Sequence, residues 1–140
     1  MAIETGDDYV DSLRGRGLRV LYKGDVTVDF VTLRGSIEAD LALRDFTVNA
    51  LGRDVVSGTW IDPKGGRGDI REGLLRAVSD SVFDADPLRL LRAIRLEQDL
   101  PLKLESHTEA LVRAHSDAVR APAGERVLAE LSRLKPMVQD

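Results

Sequence analysis

Asp86-Pro-Leu-Arg-Leu-Leu-Arg-Ala-Ile-Arg95 is the stretch that divides this chain into two kinds of structure. An aspartate followed by proline opens a helix well: the Asp86 carboxylate can accept from the first free amides, and Pro87 has no N–H to leave unsatisfied. A helix from Asp86 to about Gln98 is expected. Arg89, Arg92 and Arg95 recur every three residues and fill a broad arc of it, with Leu88, Leu91 and Ile94 as packing positions alongside. Downstream, Ser106 and Glu109 have the spacing of a capping box, and Pro122 to Leu134 reads as a third helix ending before Pro136. No strand is expected beyond Asp84.

Upstream the period changes. Leu18 to Tyr22, a Lys23-Gly24-Asp25 turn, and then Val26, Val28 and Phe30 alternating with Thr27 and Asp29 read as a β-hairpin with one wet face. Ser36 can cap a short helix to about Leu43. Phe46 to Leu51 and Thr59 to Ile61 read as two further strands around a Ser57-Gly58 turn, and Gly65-Gly66-Arg67-Gly68 as a loop. The fold class is therefore α+β, a mixed β-sheet with helices in residues 1–80 followed by an all-α part in residues 81–140, with the boundary at about 78–84.

Composition narrows the classes. The 140 residues are 43% hydrophobic and 31% charged, the balance of a folded soluble domain or two small ones. No apolar run approaches the roughly 18 residues of a membrane span, and the acidic Met1-Ala-Ile-Glu-Thr-Gly-Asp-Asp8 is unlike a secretory signal, so a cytoplasmic location is expected. With no Cys and two His, His107 and His115, carboxylates are left as metal ligands, which favours a hard ion such as magnesium. A net charge of −4 argues against bulk electrostatic RNA binding, so cations must act locally. Sixteen of the twenty are Arg, a bias that suits bidentate contacts and equally a GC-rich codon usage.

Two blocks carry candidate chemistry. In Arg44-Asp45-Phe46-Thr47-Val48-Asn49, read as a strand, Phe46 and Val48 share one face while Asp45, Thr47 and Asn49 share the other. Arg44, Asp45 and Asn49 then offer donors for phosphate and acceptors for ribose hydroxyls; the alternative is a solvated face with an Arg–Asp ion pair. In the second block Asp86 and Arg89 lie side by side on one helix face. Their acceptors and donors in fixed directions can match the edge of a base, while Asp86 alone can serve as a helix cap. Arg92 and Arg95 either hold RNA phosphates or bridge to acidic neighbours.

Asp40-Leu-Ala-Leu-Arg-Asp-Phe-Thr-Val-Asn-Ala50, Trp60-Ile-Asp-Pro-Lys-Gly-Gly66 and Asp86 to Arg95, in that order, resemble the class II nucleotidyltransferases, the family of tRNA CCA-adding enzymes and bacterial poly(A) polymerases. The resemblance covers about Gly24 to Leu134. It implies the distal part of a catalytic head followed by the start of a helical neck, addition of nucleotides from CTP or ATP to an RNA 3′ end, most often that of tRNA, and magnesium as cofactor. It casts Arg44, Asp45 and Asn49 as nucleotide-binding groups, and Asp86 and Arg89 as the Asp and Arg of a Glu-Asp-x-x-Arg base template whose leading position here is Ala85. The Asp62-Pro63-Lys64-Gly65-Gly66 turn becomes mainly structural, joining sheet to a helix near Asp69, with Gly65 and Gly66 at positive φ and Asp62 and Asp69 tying down turn and helix termini. Glu125-Arg-Val-Leu-Ala-Glu-Leu131 resembles the last family motif, a bracing helix packed through Val127, Leu128, Leu131 and Leu134.

The family's Gly-Gly motif and Asp-x-Asp metal pair do not precede Gly24 in this sequence. Asp84-Ala85-Asp86 has the spelling at the wrong place, Asp7 and Asp8 are adjacent and would diverge on a strand, and Asp29 is a candidate only for an auxiliary carboxylate. The expectation is a truncated or degenerate member, inactive alone. A noncatalytic nucleotide- or RNA-binding remnant and one half of a split enzyme are the alternatives. An incomplete sheet edge would invite a complementing chain or self-association.

Overall fold

A computed structural model describes residues 18–23, 27–33, 35–120 and 124–134, with the backbone alone for residues 18–23 and 27–32. Strands β1 (Leu18–Lys23) and β2 (Thr27–Thr32) form the expected antiparallel hairpin, Leu18 opposite Thr32 and Lys23 opposite Thr27. Helix α1 (Ile37–Ala42) starts where Ser36 predicts, the Ser36 hydroxyl accepting from the Ala39 amide at 3.1 Å. Strands β3 (Gly52–Arg53) and β4 (Trp60–Ile61) form a second antiparallel pair around Gly58 at φ 71°.

Phe46 to Leu51 is not a strand. Only Phe46 makes a β-bridge, to Ala77, and Thr47–Asn49 is a 3₁₀ turn. The apolar, β-branched residues favour extension, but the Asn49 amide donates back to the Phe46 carbonyl at 2.9 Å and the Asp45 carboxylate binds its neighbours, a local network that competes with a ladder. The expected two-faced display of Asp45, Thr47 and Asn49 is lost with the strand: Thr47 is buried and Asn49 exposed.

The glycine-rich segment also differs from expectation. Helix α2 runs Gly66–Glu72, so it starts at Gly66 rather than near Asp69. Asp62 is its effective cap from four residues upstream, accepting from the Gly66 amide at 2.7 Å and the Arg67 amide at 3.0 Å. Gly65 has the expected positive φ, 72°, but Gly66 does not. Gly66 is needed for space instead, because a Cβ there would lie 2.1 Å from the Thr47 carbonyl oxygen. Gly73, at φ 71°, ends the helix in the left-handed conformation that glycine adopts most cheaply.

The chain then crosses from β5 (Leu74–Leu75) through α3 (Val82–Ala85) and α4 (Arg89–Asp99) to β6 (Lys103–Leu104), which lies parallel to β5. Two residues are too few to show a period, so this strand beyond Asp84 was not visible in the sequence pattern. Helix α5 (Ser106–Ala114), a 3₁₀ segment Ser116–Arg120 and α6 (Gly124–Leu131) follow. One core draws on both sides of residue 80: Phe46, Leu75, Val82, Phe83, Leu90, Ala93, Leu96 and Leu102. The Phe46 and Phe83 rings meet at 6.4 Å between centroids, tilted by 58°, a favourable aromatic arrangement.

Leu88 and Leu91 pack as expected, but Ile94 is exposed and Leu90, Ala93 and Leu96 carry the inner face of α4. The strict three-residue spacing drifts off a 3.6-residue helix by the third position. Leu128 and Leu131 on α6 are likewise exposed, while Glu130 between them is buried by arginines.

Glu105, not Ser106, caps α5, accepting from the His107 and Thr108 amides at 3.0 Å each. Those amide donors, that of His107 foremost, hold its pKa at about 2 against an ordinary 4.5. A carboxylate depressed in this way contributes stability in full above its unfolded pKa and loses it as pH falls through 4.5 toward about 2. Glu105→Gln is expected to cost about 1 kcal/mol at pH 7. In thermal melts its deficit relative to the parent should shrink on acidification over that window; a constant deficit would remove the charged cap from the account.

Candidate functional site

The site grows from the loop between α1 and the 3₁₀ turn, against which α4 lays its arginines. Asp45 is its hub. The carboxylate, only 5% exposed, accepts from the Phe46 amide at 2.8 Å and the Asn49 amide side chain at 3.2 Å through Oδ1, and from Arg92 Nε at 2.7 Å through Oδ2. The Asp45 carbonyl also accepts from the Val78 amide at 3.1 Å. A buried carboxylate needs this many partners, because its desolvation is offset only when each lone pair is matched.

Arg44 pairs backward with Asp40 at 3.1 Å, one helical turn away. Its Nε is buried and has no hydrogen-bond partner among the described residues. Arg89 reaches across from α4, donating to the Leu43 carbonyl at 2.8 Å and the Val82 carbonyl at 3.2 Å. Both acceptors are neutral, so its charge is uncompensated by them, and a guanidinium with five N–H groups retains donors for a ligand.

The expected side-by-side Asp86–Arg89 display takes a different form. Asp86 Oδ1 accepts from the Leu88 amide at 3.1 Å, a turn just ahead of α4 rather than a cap on its first helical amides, and Oδ2 is held by Arg126 of α6 at 2.8 Å. One Asp86 oxygen thus binds an amide just ahead of α4, as the helix-opening reading expects, and the other sits in an ion pair with Arg126 rather than beside Arg89. Arg92 and Arg95 meet acidic neighbours. Arg92 lies 3.8 Å from Glu130 as well as on Asp45; Arg95 donates to Glu130 at 2.9 Å and lies 3.6 Å from Asp99. Glu130, 5% exposed, is the bridge that ties α6 to α4.

Sequence reasoning missed Glu130 and the Asp86 partner Arg126 as parts of this arrangement. The signal was present in Glu125-Arg-Val-Leu-Ala-Glu-Leu131, where a carboxylate falls three residues after Val127 on the inward arc, a position that must find cations. It also missed a second triad, with Thr47 and Asp69 buried and Arg76 partly exposed: Thr47 donates to Asp69 at 2.6 Å, and Arg76 Nε donates to the same carboxylate at 3.1 Å. This triad locks the 3₁₀ turn, and hence Asp45, onto α2.

Asp29 stands in β2 opposite Leu21; its side chain lies outside the described residues, so its auxiliary role has no geometry to rest on. Among the described residues no cluster of three or more His, Asp or Glu side chains converges as metal ligands would. The described carboxylates near the site, Asp40, Asp45, Asp86 and Glu130, are each paired with an arginine. They do not fit a magnesium ion, and no step through one follows from this part of the chain. No helix among the described residues is long and apolar enough to cross a membrane.

Residues 13–76 match the family model of the Poly A polymerase head domain. The CC-adding tRNA nucleotidyltransferase of Geobacter sulfurreducens is 42% identical over 127 residues, covering 89% of this chain and 29% of that protein. The A-adding tRNA nucleotidyltransferase of Deinococcus radiodurans is also 42% identical, over 128 residues, covering 85% and 28%. Among solved structures, the Thermotoga maritima CCA-adding enzyme complexed with tRNA superposes with a TM-score of 0.71 at 32% identity, covering 83% of this chain and 30% of that one. The chain thus spans less than a third of the length of these relatives. With the head-domain match, the shared sequence and the shared α+β fold together, the chain belongs to the class II nucleotidyltransferases, the family of tRNA CCA-adding enzymes and bacterial poly(A) polymerases.

Proposed function

We propose that this chain supplies the nucleotide-selecting surface of an RNA 3′-end nucleotidyltransferase, with tRNA as the RNA and CTP or ATP as the nucleotide. The observation that carries the reading is the convergence of two blocks far apart in sequence: Arg89 binds the Leu43 carbonyl beside Arg44, and Arg92 binds Asp45. Two cationic side chains, Arg44 and Arg89, flank the α1 end, Arg44 pairing within its own block with Asp40 and Arg89 resting on carbonyls, so that both bring positive charge where a triphosphate or a base edge would bind. Asp86 completes the template when it turns from Arg126 to the base. Asn49, exposed and tied to Asp45, is placed for a ribose hydroxyl.

The division of labour among the arginines follows from their partners. Arg89, on neutral carbonyls, binds the base; Arg92 and Arg95, on Asp45 and Glu130, set the angle at which α4 presents it. The transfer step in the family needs magnesium and the Gly-Gly and Asp-x-Asp elements. The role proposed for these residues is therefore selection. Names of relatives that add CC and names of relatives that add A are equally compatible with this surface.

Calorimetric titration with CTP and ATP tests the reading. Arg89→Ala should weaken both ligands by about 1–3 kcal/mol, the span of a good bidentate base contact. Equal affinity of variant and parent, with the variant's thermal melt unchanged, would take Arg89 out of the pocket.

A further inference from the structure

The β3–β4 hairpin carries a cluster that shares no residue with the nucleotide site. Trp60 is 43% exposed, a large aromatic surface to leave in water. Arg53, its cross-strand partner, places its guanidinium 5.4 Å from the ring centroid and is held there by donating to the Gly58 carbonyl at 2.9 Å. Arg67, from the first turn of α2, lies 4.8 Å from the same ring. Lys64 is exposed in the intervening turn. The nearby carboxylates are engaged by backbone amides: Asp54 accepts from the Val56 and Ser57 amides, and Asp62 from the Gly66 and Arg67 amides. The hairpin thus presents an exposed aromatic ring among three exposed cations, in a chain whose net charge is −4.

We propose that Trp60, flanked by Arg53 and Arg67, is a stacking platform for an unpaired base of an RNA strand whose phosphates meet Arg53, Lys64 and Arg67. Rings and guanidinium planes stack on any base, and cations beside them neutralise the backbone, so the platform holds RNA without reading its sequence. The proposal rests on the preceding reading for the identity of the polymer, RNA, and on nothing in the Arg89 pocket. A purely structural role, pinning the hairpin to α2, would need the two cation–π contacts but no RNA response.

Trp60 is the only tryptophan in the chain, so its emission reports on the platform directly. Titrating the full chain with a single-stranded oligoribonucleotide of about ten mixed nucleotides should quench that emission. With up to three phosphates neutralised, raising salt from about 50 to 200 mM should lower affinity roughly fifteenfold. By polarisation of a labelled oligonucleotide, Trp60→Ala should weaken binding roughly five- to a hundredfold, with Trp60→Phe retaining most of it. Arg67→Gln, which spares the ring, should weaken binding several-fold and flatten the salt dependence.

Several results would overturn the platform: no quench at saturating RNA, unchanged affinity of Trp60→Ala, a blunt RNA duplex or inorganic tripolyphosphate quenching as strongly as the single strand, or an emission change that follows protein concentration without RNA. CTP calorimetry on the same proteins separates the two proposals. RNA quenching without CTP binding sinks the nucleotide pocket and leaves the platform, whereas CTP binding without quenching does the reverse.

Discussion

Gly66→Ala should destabilise this chain by about 3 kcal/mol or more, a large effect for one added methyl group. The new Cβ would fall 2.1 Å from the Thr47 carbonyl oxygen, 2.7 Å from its carbon and 2.8 Å from Leu51 Cδ2. Two of these three atoms are backbone and cannot rotate away. Relief requires α2 to retreat from the 3₁₀ turn, which stretches the buried Thr47–Asp69 hydrogen bond and shifts Asp45 two residues along. In a chain of this size each kcal/mol moves the melting midpoint by about 3–4 °C, so a fall of about 10 °C is expected. Gly68 is the internal control: it sits in the same helix with nothing within 4 Å, and Gly68→Ala should be neutral or stabilising by up to about 1 kcal/mol. Equal melting of Gly66→Ala and the parent would mean that the turn and the helix are not in this contact.

Asp45→Ala should cost about 2–4 kcal/mol, below the full penalty for splitting a buried ion pair because Arg92 is one-third exposed and can rehydrate. The deletion strands the buried Phe46 amide, frees the exposed Asn49 side chain and leaves Arg92 only its longer contact with Glu130. Asp45→Asn keeps an acceptor for the amide but loses the charge, so about half the cost should return. A double-mutant cycle between Asp45→Ala and Arg92→Ala, read by urea denaturation, should give a coupling of about 1–3 kcal/mol. Additive losses would show that the 2.7 Å pair is a geometric coincidence. Because Asp45 orders the loop that follows Arg44, Asp45→Ala should also weaken CTP more than its stability loss alone explains.

Local chemistry was legible where it was self-contained. The β1–β2 hairpin follows from alternation around Lys23-Gly24-Asp25, and α1 from one serine before an amphipathic turn. Segments decided by distant partners were not. Phe46 to Leu51 has the composition of a strand, yet its ladder stops at one bridge, the Thr47 amide bonding to the Arg76 carbonyl and the Val78 amide to the Asp45 carbonyl, and how far a partner strand extends cannot be inferred from the six residues themselves. Asp62 was named among the residues tying down this turn, but the helix start it fixes was placed near Asp69 rather than at Gly66, because Asp62 acts from four positions upstream, across a proline and a left-handed glycine, outside the usual cap window.

Within the site, the residue types were legible and their partners were not. The acidic options for Arg92 and Arg95 were foreseen in kind, but Glu130 could be named only once α6 lay against α4. Arg89 is the clearest case, since its acceptors are the carbonyls of Leu43 and Val82. Main-chain oxygens are the same at every position, so side-chain identity carries no trace of them.

The parallel pairing of Leu74 and Leu75 with Lys103 and Leu104 has a kinetic meaning. Parallel neighbours cannot be joined by a tight turn, and here everything between them, α3 and the arginine-bearing α4 included, is the crossover. The chain must close that long loop before β6 finds β5, an entropically slow event. Helix α4 is thus fastened at both ends by the same late step. Its arginines reach Asp45 and Glu130 when the core around Phe46 and Phe83 closes, which makes assembly of this ion-pair network a readout of completed folding rather than an early local event.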